Sequence, residues 1–299
     1  MTILKYRIFL FWATGVLVAA AIAATAYFGL PLGIDFTGGS LIQVEYPDGR
    51  PAPSEVESQV HTALEGEVSV RASGERAVSI RSRALSPEEH TAVLKALSQD
   101  ALTTELSYTS VGPSLGGQFA AKALWALLAV AFAITLYVAF AFRKVSKPVP
   151  SWIYGVVVIM MLMHDLLIPA GFYAVLSYYT GASVDALFVT ALLALLGYSV
   201  NDTIVVFDRV REHLAHNEKN NHKEAFETTV GKSISETLTR SLNTSLTTAL
   251  GLVAVAFWGA EATRNFALVM LVGVIAGTYS SVLLAAPLLI PLARWYVKK

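Results

Sequence analysis

The stretch Leu187–Glu212, "LFVTALLALLGYSVNDTIVVFDRVRE", is apolar as far as Tyr198 and then places Asn201 and Asp202 inside the run. Ile204 to Phe207 restore the apolar character before Asp208 and Arg209 end it. About 20 apolar residues cross ~30 Å of hydrocarbon as a helix. A carboxylate within such a helix costs ~2.5–3.5 kcal/mol on insertion scales, and acids that persist there face a bundle interior or a wet cavity. If this stretch spans a membrane, Asp202 is a candidate functional group.

The rest of the chain supports a membrane reading. Its 299 residues are 55% hydrophobic and 15% charged, with 22 Lys and Arg against 22 Asp and Glu, and a mean hydropathy of +0.56. That texture belongs to an integral membrane protein with a modest water-exposed part, and no basic excess points to nucleic acid. Cysteine is absent, which excludes disulfides, thiolate metal sites and a cysteine nucleophile. Neither a metal-ligand cluster, nor a nucleotide loop, nor a nucleophile with an evident base is visible, so no enzyme is expected.

Six spans are expected, at roughly 8–28, 119–142, 152–176, 185–208, 236–257 and 266–292. The first has Lys5 and Arg7 ahead of it and Ala24-Thr25-Ala26 behind, which invites comparison with a signal peptide. Its apolar run exceeds a usual signal core, and it is counted as a span. Arg143, Lys144 and Lys147 lie in one connection, and Arg209, Arg211, Lys219, Lys223 and Lys232 in another. Arg294, Lys298 and Lys299 close the chain. The segment "SYYTGASVD" has no Lys or Arg, and "WGAEATRN" has only Arg264. The positive-inside rule then puts both termini in the cytoplasm and residues 36–112 on the far side of a cytoplasmic, multi-pass membrane.

Residues 36–112 have the texture of a water-exposed domain. "SLIQVEY" alternates, with Ile42, Val44 and Tyr46 on one face of a strand. "SEVESQVHTALEG" is expected to open with a capping box, Ser54 to Glu57, and to carry Val56, Val60, Ala63 and Leu64 as an apolar stripe. "EVSVRA" and "RAVSIRS" read as strands joined at Ser73-Gly74. "SPEEHTAVLKALSQ" repeats the helix start with Ser86, Pro87 and Glu89, and "TELSYTSV" reads as a last strand. The order is β-α-β-β-α-β, the ferredoxin-like arrangement, which is neutral as to function. The expected fold is an α-helical polytopic membrane protein of six transmembrane helices with one small α+β extracytoplasmic domain. Its parts are 1–35, 36–112, and a five-helix region 113–299 with a cytoplasmic loop at about 209–235. His61 and His90 read as surface histidines.

Asp202 lies seven residues before Arg209, or ~10 Å inside the span at 1.5 Å per residue. The fifth span returns from the same side and carries Arg240 at similar depth, so the two are expected partners. Arg240, Thr244, Thr247, Thr248 and Gly251 form a polar stripe that suits either a water path or interhelical hydrogen bonds. Burial and a nearby Arg push an Asp pKa in opposite directions. A helix movement that alters their separation would make Asp202 bind and release a proton, with Asn201 beside it able to serve either state. Protons are the expected coupling ion, and no other cofactor is implied. His164-Asp165 in the third span fits the same relay or a polar helix contact. Gly273, Gly277 and Ser281 have close-packing spacing, and Asp208 and Arg209 mark the membrane boundary. "DFTGGS" lacks the length and setting of a phosphate loop.

Together "GIDFTGGS", "GYSVNDTIVVFDRVRE", "ETLTRSLNTSLTT" and "GTYSSVLLAAPLL" resemble the SecF family of protein-export membrane proteins, within the resistance–nodulation–division superfamily. The resemblance implies an accessory subunit of the prokaryotic Sec translocase that uses the proton-motive force. It implies SecD, the SecYEG channel, YajC, a translocating preprotein and membrane lipid as partners, and no nucleic acid. By the same resemblance Asp202 and Arg240 take part in proton conduction, with a further acid supplied by SecD. Two other readings compete: half of a proton-coupled small-molecule exporter of that superfamily, and a non-transporting scaffold subunit. Whether the chain works as a separate subunit or as part of a fused SecD–SecF protein stays open.

Overall fold

The computed structural model describes residues 2–98, 102–143, 148–222 and 224–297. Lys144, Lys147, Lys223, Lys298 and Lys299, used above for orientation, and Gln99 lie outside the described residues. The elements run α1 (Thr2–Lys5), α2 (Arg7–Phe28), α3 (Ile34–Thr37), β1 (Gly39–Glu45), α4 (Pro53–Ala63), β2 (Ser69–Ser73), β3 (Ala77–Ser82), α5 (Pro87–Leu97) and β4 (Thr104–Val111). They continue with α6 (Pro113–Ala141), α7 (Ser151–Thr180), α8 (Ala186–Lys219), α9 (Phe226–Trp258), α10 (Glu261–Tyr279), a π-helical turn (Ser280–Ala285) and α11 (Ala286–Val297). The chain forms two compact units. One comprises Met1–Gly29, Trp125–Val175 and Leu187–Lys299, and the other Leu30–Leu124 with Leu176–Ala186.

The second unit is built on a four-stranded sheet of order β2-β3-β1-β4, with every neighbouring pair antiparallel. Ile42 faces Ile80, and Val44 faces Val78. All four are buried with Tyr46, Val56, Val60, Leu64, Val93 and Leu97, so the alternation in β1 meets the stripes of α4 and α5 to make one core. The edge strand β4 contributes little to it and is exposed along nearly its whole length.

Helix α5 starts as expected. The amide of Glu89 donates to Ser86 Oγ at 3.2 Å and the amide of Ser86 to Glu89 Oε2 at 2.9 Å. Helix α4 does not. It begins one residue before Ser54, at Pro53, with Ala52 in the capping position and no side-chain cap. Proline at the first helical position is pre-set for the helix and has no amide to satisfy, which displaces Ser54 into the first turn. His61 is exposed, whereas His90 stacks on Tyr108 at 3.9 Å and meets Glu105 at 3.2 Å.

The "DFTGGS" turn is a structural joint. Gly38 and Gly39 hold φ of 76° and 122°. A Cβ on Gly38 would lie 2.6 Å from Pro113 Cα, and one on Gly39 would lie 2.5 Å from the Ser82 carbonyl oxygen. Only glycine combines that backbone with that approach. Asp35 accepts from the amide of Ala186 at 2.8 Å, serving an orphan donor in the first turn of α8. Arg71 donates to the Gly181 carbonyl at 2.9 Å and Arg81 to Ser183 Oγ at 2.7 Å, so both arginines strap the segment after α7 to the sheet.

Six helices among the described residues are long and apolar enough to cross a membrane. They extend beyond the expected spans, α6 starting at Pro113 and α8 reaching Lys219. Intrahelical hydrogen bonding continues in water, so hydrophobic length bounds the membrane segment and not the helix. The small residues of α10 make a seam with α8. A Cβ on Gly277 would lie 3.1 Å from that of Ser199, and Ser281 Oγ donates to the Ser199 carbonyl at 3.2 Å. Gly171 of α7 lies against Ala21 of α2 in the same way. Trp12, Phe132 and Leu136 remain on the outside, as lipid-facing side chains should.

Candidate functional site

The apolar packing of α8 turns Leu195, Leu196, Val206 and Phe207 inward, and the helical period carries Asp202 inward with them. Asp202 is 5% exposed. Its Oδ2 accepts a hydrogen bond from Ser245 Oγ of α9 at 3.5 Å. Ser241, one turn before Ser245, lies beside the same carboxylate, and its hydroxyl is buried without a hydrogen-bond partner. Ser245 in turn receives a hydrogen bond from Thr278 of α10 at 2.6 Å and one from Tyr198 at 3.4 Å. The acid therefore sits in a small polar pocket of three helices that under-serves its charge. A buried carboxylate with so few donors is suited to exchanging a proton, because protonation removes the charge that the site does not fully solvate.

Arg240 acts on Asp202 through space, but the two make no direct ion pair. Its side chain lies on the outward face of α9 with Asn243, Thr244 and Thr247, all exposed. The hydroxyls of Thr244, Thr247 and Thr248 bond back to carbonyls of their own helix. The polar stripe that begins at Arg240 thus faces away from the bundle core. The stripe that faces Asp202 is offset by one residue: Thr237, Ser241 and Ser245, all buried. Asn201 is exposed and makes no hydrogen bond to Asp202.

The third-span pair lies in a second buried node. His164 Nδ1 meets Asp165 Oδ1 at 2.7 Å, and its Nε2 meets the Tyr279 hydroxyl at 2.5 Å. Asp165 also accepts from Ser280 Oγ at 3.0 Å and from Ser199 Oγ. Thr203, next to Asp202, shares a hydrogen bond with Ser281 at 2.8 Å. Sequence reading missed Ser199, Ser245, Thr278, Tyr279 and Ser280. The i+4 repeat of Thr237, Ser241 and Ser245 is the signal that would have found part of the set. Asp208 and Arg209 are paired at the surface, with Arg211 and with Glu236 respectively, as boundary charges should be. Among the described residues no cluster of metal-ligating side chains forms.

The comparisons agree with this architecture. The family described as protein export membrane protein SecD/SecF, C-terminal, matches residues 90–295, and the SecD/SecF GG motif matches residues 28–46. Gly38 and Gly39 fall within the latter. The chain is 37% identical to the protein translocase subunit SecF of Thermobaculum terrenum over 88% of its length and 84% of that protein. It is 36% identical to that of Anaerolinea thermophila, over 97% and 93%. The crystal structure of Thermus thermophilus SecDF, a translocon-associated membrane protein, superposes with a TM-score of 0.81 at 30% identity. That match takes in 98% of this chain and 39% of the SecDF chain. The chain therefore belongs to the SecF family of protein translocase subunits.

Proposed function

We propose that this subunit couples the proton-motive force to preprotein export, with Asp202 as its proton-binding group. The observation that carries the reading is the pairing of an under-solvated buried carboxylate with an arginine left on an open face at membrane depth. Arg240 modulates the charge of Asp202 without neutralising it in a fixed ion pair, as a group that must change state requires. Each proton moved through 100 mV supplies ~2.3 kcal/mol. Family membership supports SecD as the partner in the membrane and SecYEG, YajC and the preprotein as the larger assembly.

In this reading both termini are cytoplasmic, and the sheet domain is extracytoplasmic and ferredoxin-like. The strand order β2-β3-β1-β4 supports the latter, since each β-α-β crossing there brackets one strand of the other. A scaffold would have no use for a poorly served buried acid. The test is proton flux in vesicles holding the chain with SecD. Asp202→Asn should reduce flux to that of vesicles without the protein, and wild-type flux in this variant would end the proposal. The absence of native cysteine makes orientation equally testable. A cysteine at Glu65 should react with an impermeant maleimide in intact cells, and one at Asn221 only after permeabilisation.

A further inference from the structure

We infer that His164, Asp165 and Tyr279 form a second protonatable station in the bundle, whose charge state is read by the π-helical turn Ser280–Ala285. The inference rests on the proton-coupled reading of Asp202 and adds a site to it. His164 and Asp165 are 5% and 2% exposed, and all of the polar atoms involved come from the interiors of membrane-length helices.

The hydrogen bonds show what protonation would change. With a neutral imidazole, Nδ1–H donates to Asp165 and Nε2 accepts from the Tyr279 hydroxyl. A proton taken from the aqueous phase onto Nε2 gives an imidazolium that keeps its Nδ1–H on Asp165. Nε2–H then donates to the Tyr279 oxygen, which must turn its own proton away. No covalent bond other than N–H is made, and loss of the proton restores the first arrangement. Tyr279 thereby reverses from donor to acceptor at the residue where α10 gives way to the π turn.

Two helix irregularities meet at this node. Pro169 lies inside α7 and cannot donate to the carbonyl four residues earlier, which is that of Asp165. Opposite it, Ser280 and Ser281 open the π turn and bond to Asp165 and to the Ser199 carbonyl. π turns interrupt the regular ladder and recur at functional sites. The same segment reaches the first site, since Thr278 bonds to Ser245, the donor to Asp202. The titratable groups facing His164 are Asp165 on its own helix and Tyr279 from α10. Helix α8 presents Ser199 and, three residues on, Asp202, while α2 has no titratable side chain between Arg7 and Tyr27. The two stations thus share α8 and α10 as common walls.

The test is imidazole nitrogen NMR on the full-length, histidine-labelled chain with SecD in lipid nanodiscs, the His164 signals being identified by their loss in His164→Gln. They should pass from two distinct neutral nitrogens to an imidazolium pair as the pH is lowered across the range in which the complex stays folded. Asp165→Asn should remove that transition. Ser280→Ala, which deletes one donor to Asp165 and leaves the ring untouched, should displace its midpoint, and so should Asp202→Asn. A single neutral tautomer across the whole range, or a midpoint indifferent to Ser280→Ala, would overturn the inference. Its failure is separable from that of the Asp202 reading. A silent His164 with flux lost in Asp202→Asn sinks only this station, and a titrating His164 with flux intact in Asp202→Asn sinks only the other.

Discussion

Asp202 and Asp165 show how hydrogen-bond supply divides the work of two buried acids in one bundle. Asp165 accepts from His164, Ser199 and Ser280, whereas Asp202 has the long contact from Ser245 and the Ser241 hydroxyl beside it. Replacing Ser245 by alanine removes that donor, while the Thr278 hydroxyl keeps its bond to the Val274 carbonyl. Ser245→Ala should therefore change the pH profile of proton flux while leaving the protein folded, and an unchanged profile would show that Ser245 does not act on the acid. Outside the membrane, Glu89 is held at about 2 by its hydrogen bonds from Arg83 and from the Ser86 amide. A folded-state value below the unfolded one means stability that is present above the ordinary carboxylate range and lost as pH falls towards 2. Acid titration followed by hydrogen exchange should thus release the α5 amides between about pH 4.5 and 2. Glu89→Gln should flatten that dependence.

Among the elements, the sheet and its two helices were legible in sequence because period-2 alternation and i, i+4 stripes are local signals, and each of them found its partner in one core. The first capping box was misread because Ser54 to Glu57 fits the pattern, while Pro53, one residue earlier, sets the helix start by conformation. The inward face of α9 was misread for a different reason. "ETLTRSLNTSLTT" holds two polar stripes one residue apart, Arg240–Thr244–Thr247 and Thr237–Ser241–Ser245. Which one meets α8 depends on packing against α8 and α10, which local spacing does not encode. The π turn was not visible either, since its sequence is apolar and ordinary after two serines. The glycine joint offers a sharp check at this scale. Gly39→Ala places a side chain at φ 122° and 2.5 Å from the Ser82 carbonyl oxygen. The cost should be of order 1–3 kcal/mol from the backbone alone, with a further loss from the clash, read as a lower unfolding midpoint of the sheet domain. Ser86→Ala, which removes only a cap, should cost about 0.5–2 kcal/mol. If Gly39→Ala proves no more harmful than Ser86→Ala, the joint is looser than its geometry implies.

At the scale of the whole molecule, one face of the bundle is chemically incomplete. Asn201, Arg240, Asn243, Thr244 and Thr247 are all exposed on α8 and α9, within segments long and apolar enough to cross a membrane. Lipid tails offer no hydrogen bonds, and a charged side chain at such depth is otherwise found against protein or water. By contrast Trp125 and Phe132 of α6 are exposed and apolar, as a lipid-facing surface should be. The polar face is therefore where SecD should pack, which would also bring Arg240 into an enclosed site and complete the surroundings of Asp202. Because the chain contains no cysteine, single cysteines report this directly. In membranes holding both proteins, a cysteine at Thr247 should crosslink to a matched cysteine series on SecD. A cysteine at Phe132 should not. Crosslinking from Phe132 in place of Thr247 would move the partner to the other side of the bundle and overturn the assignment of the polar face to SecD.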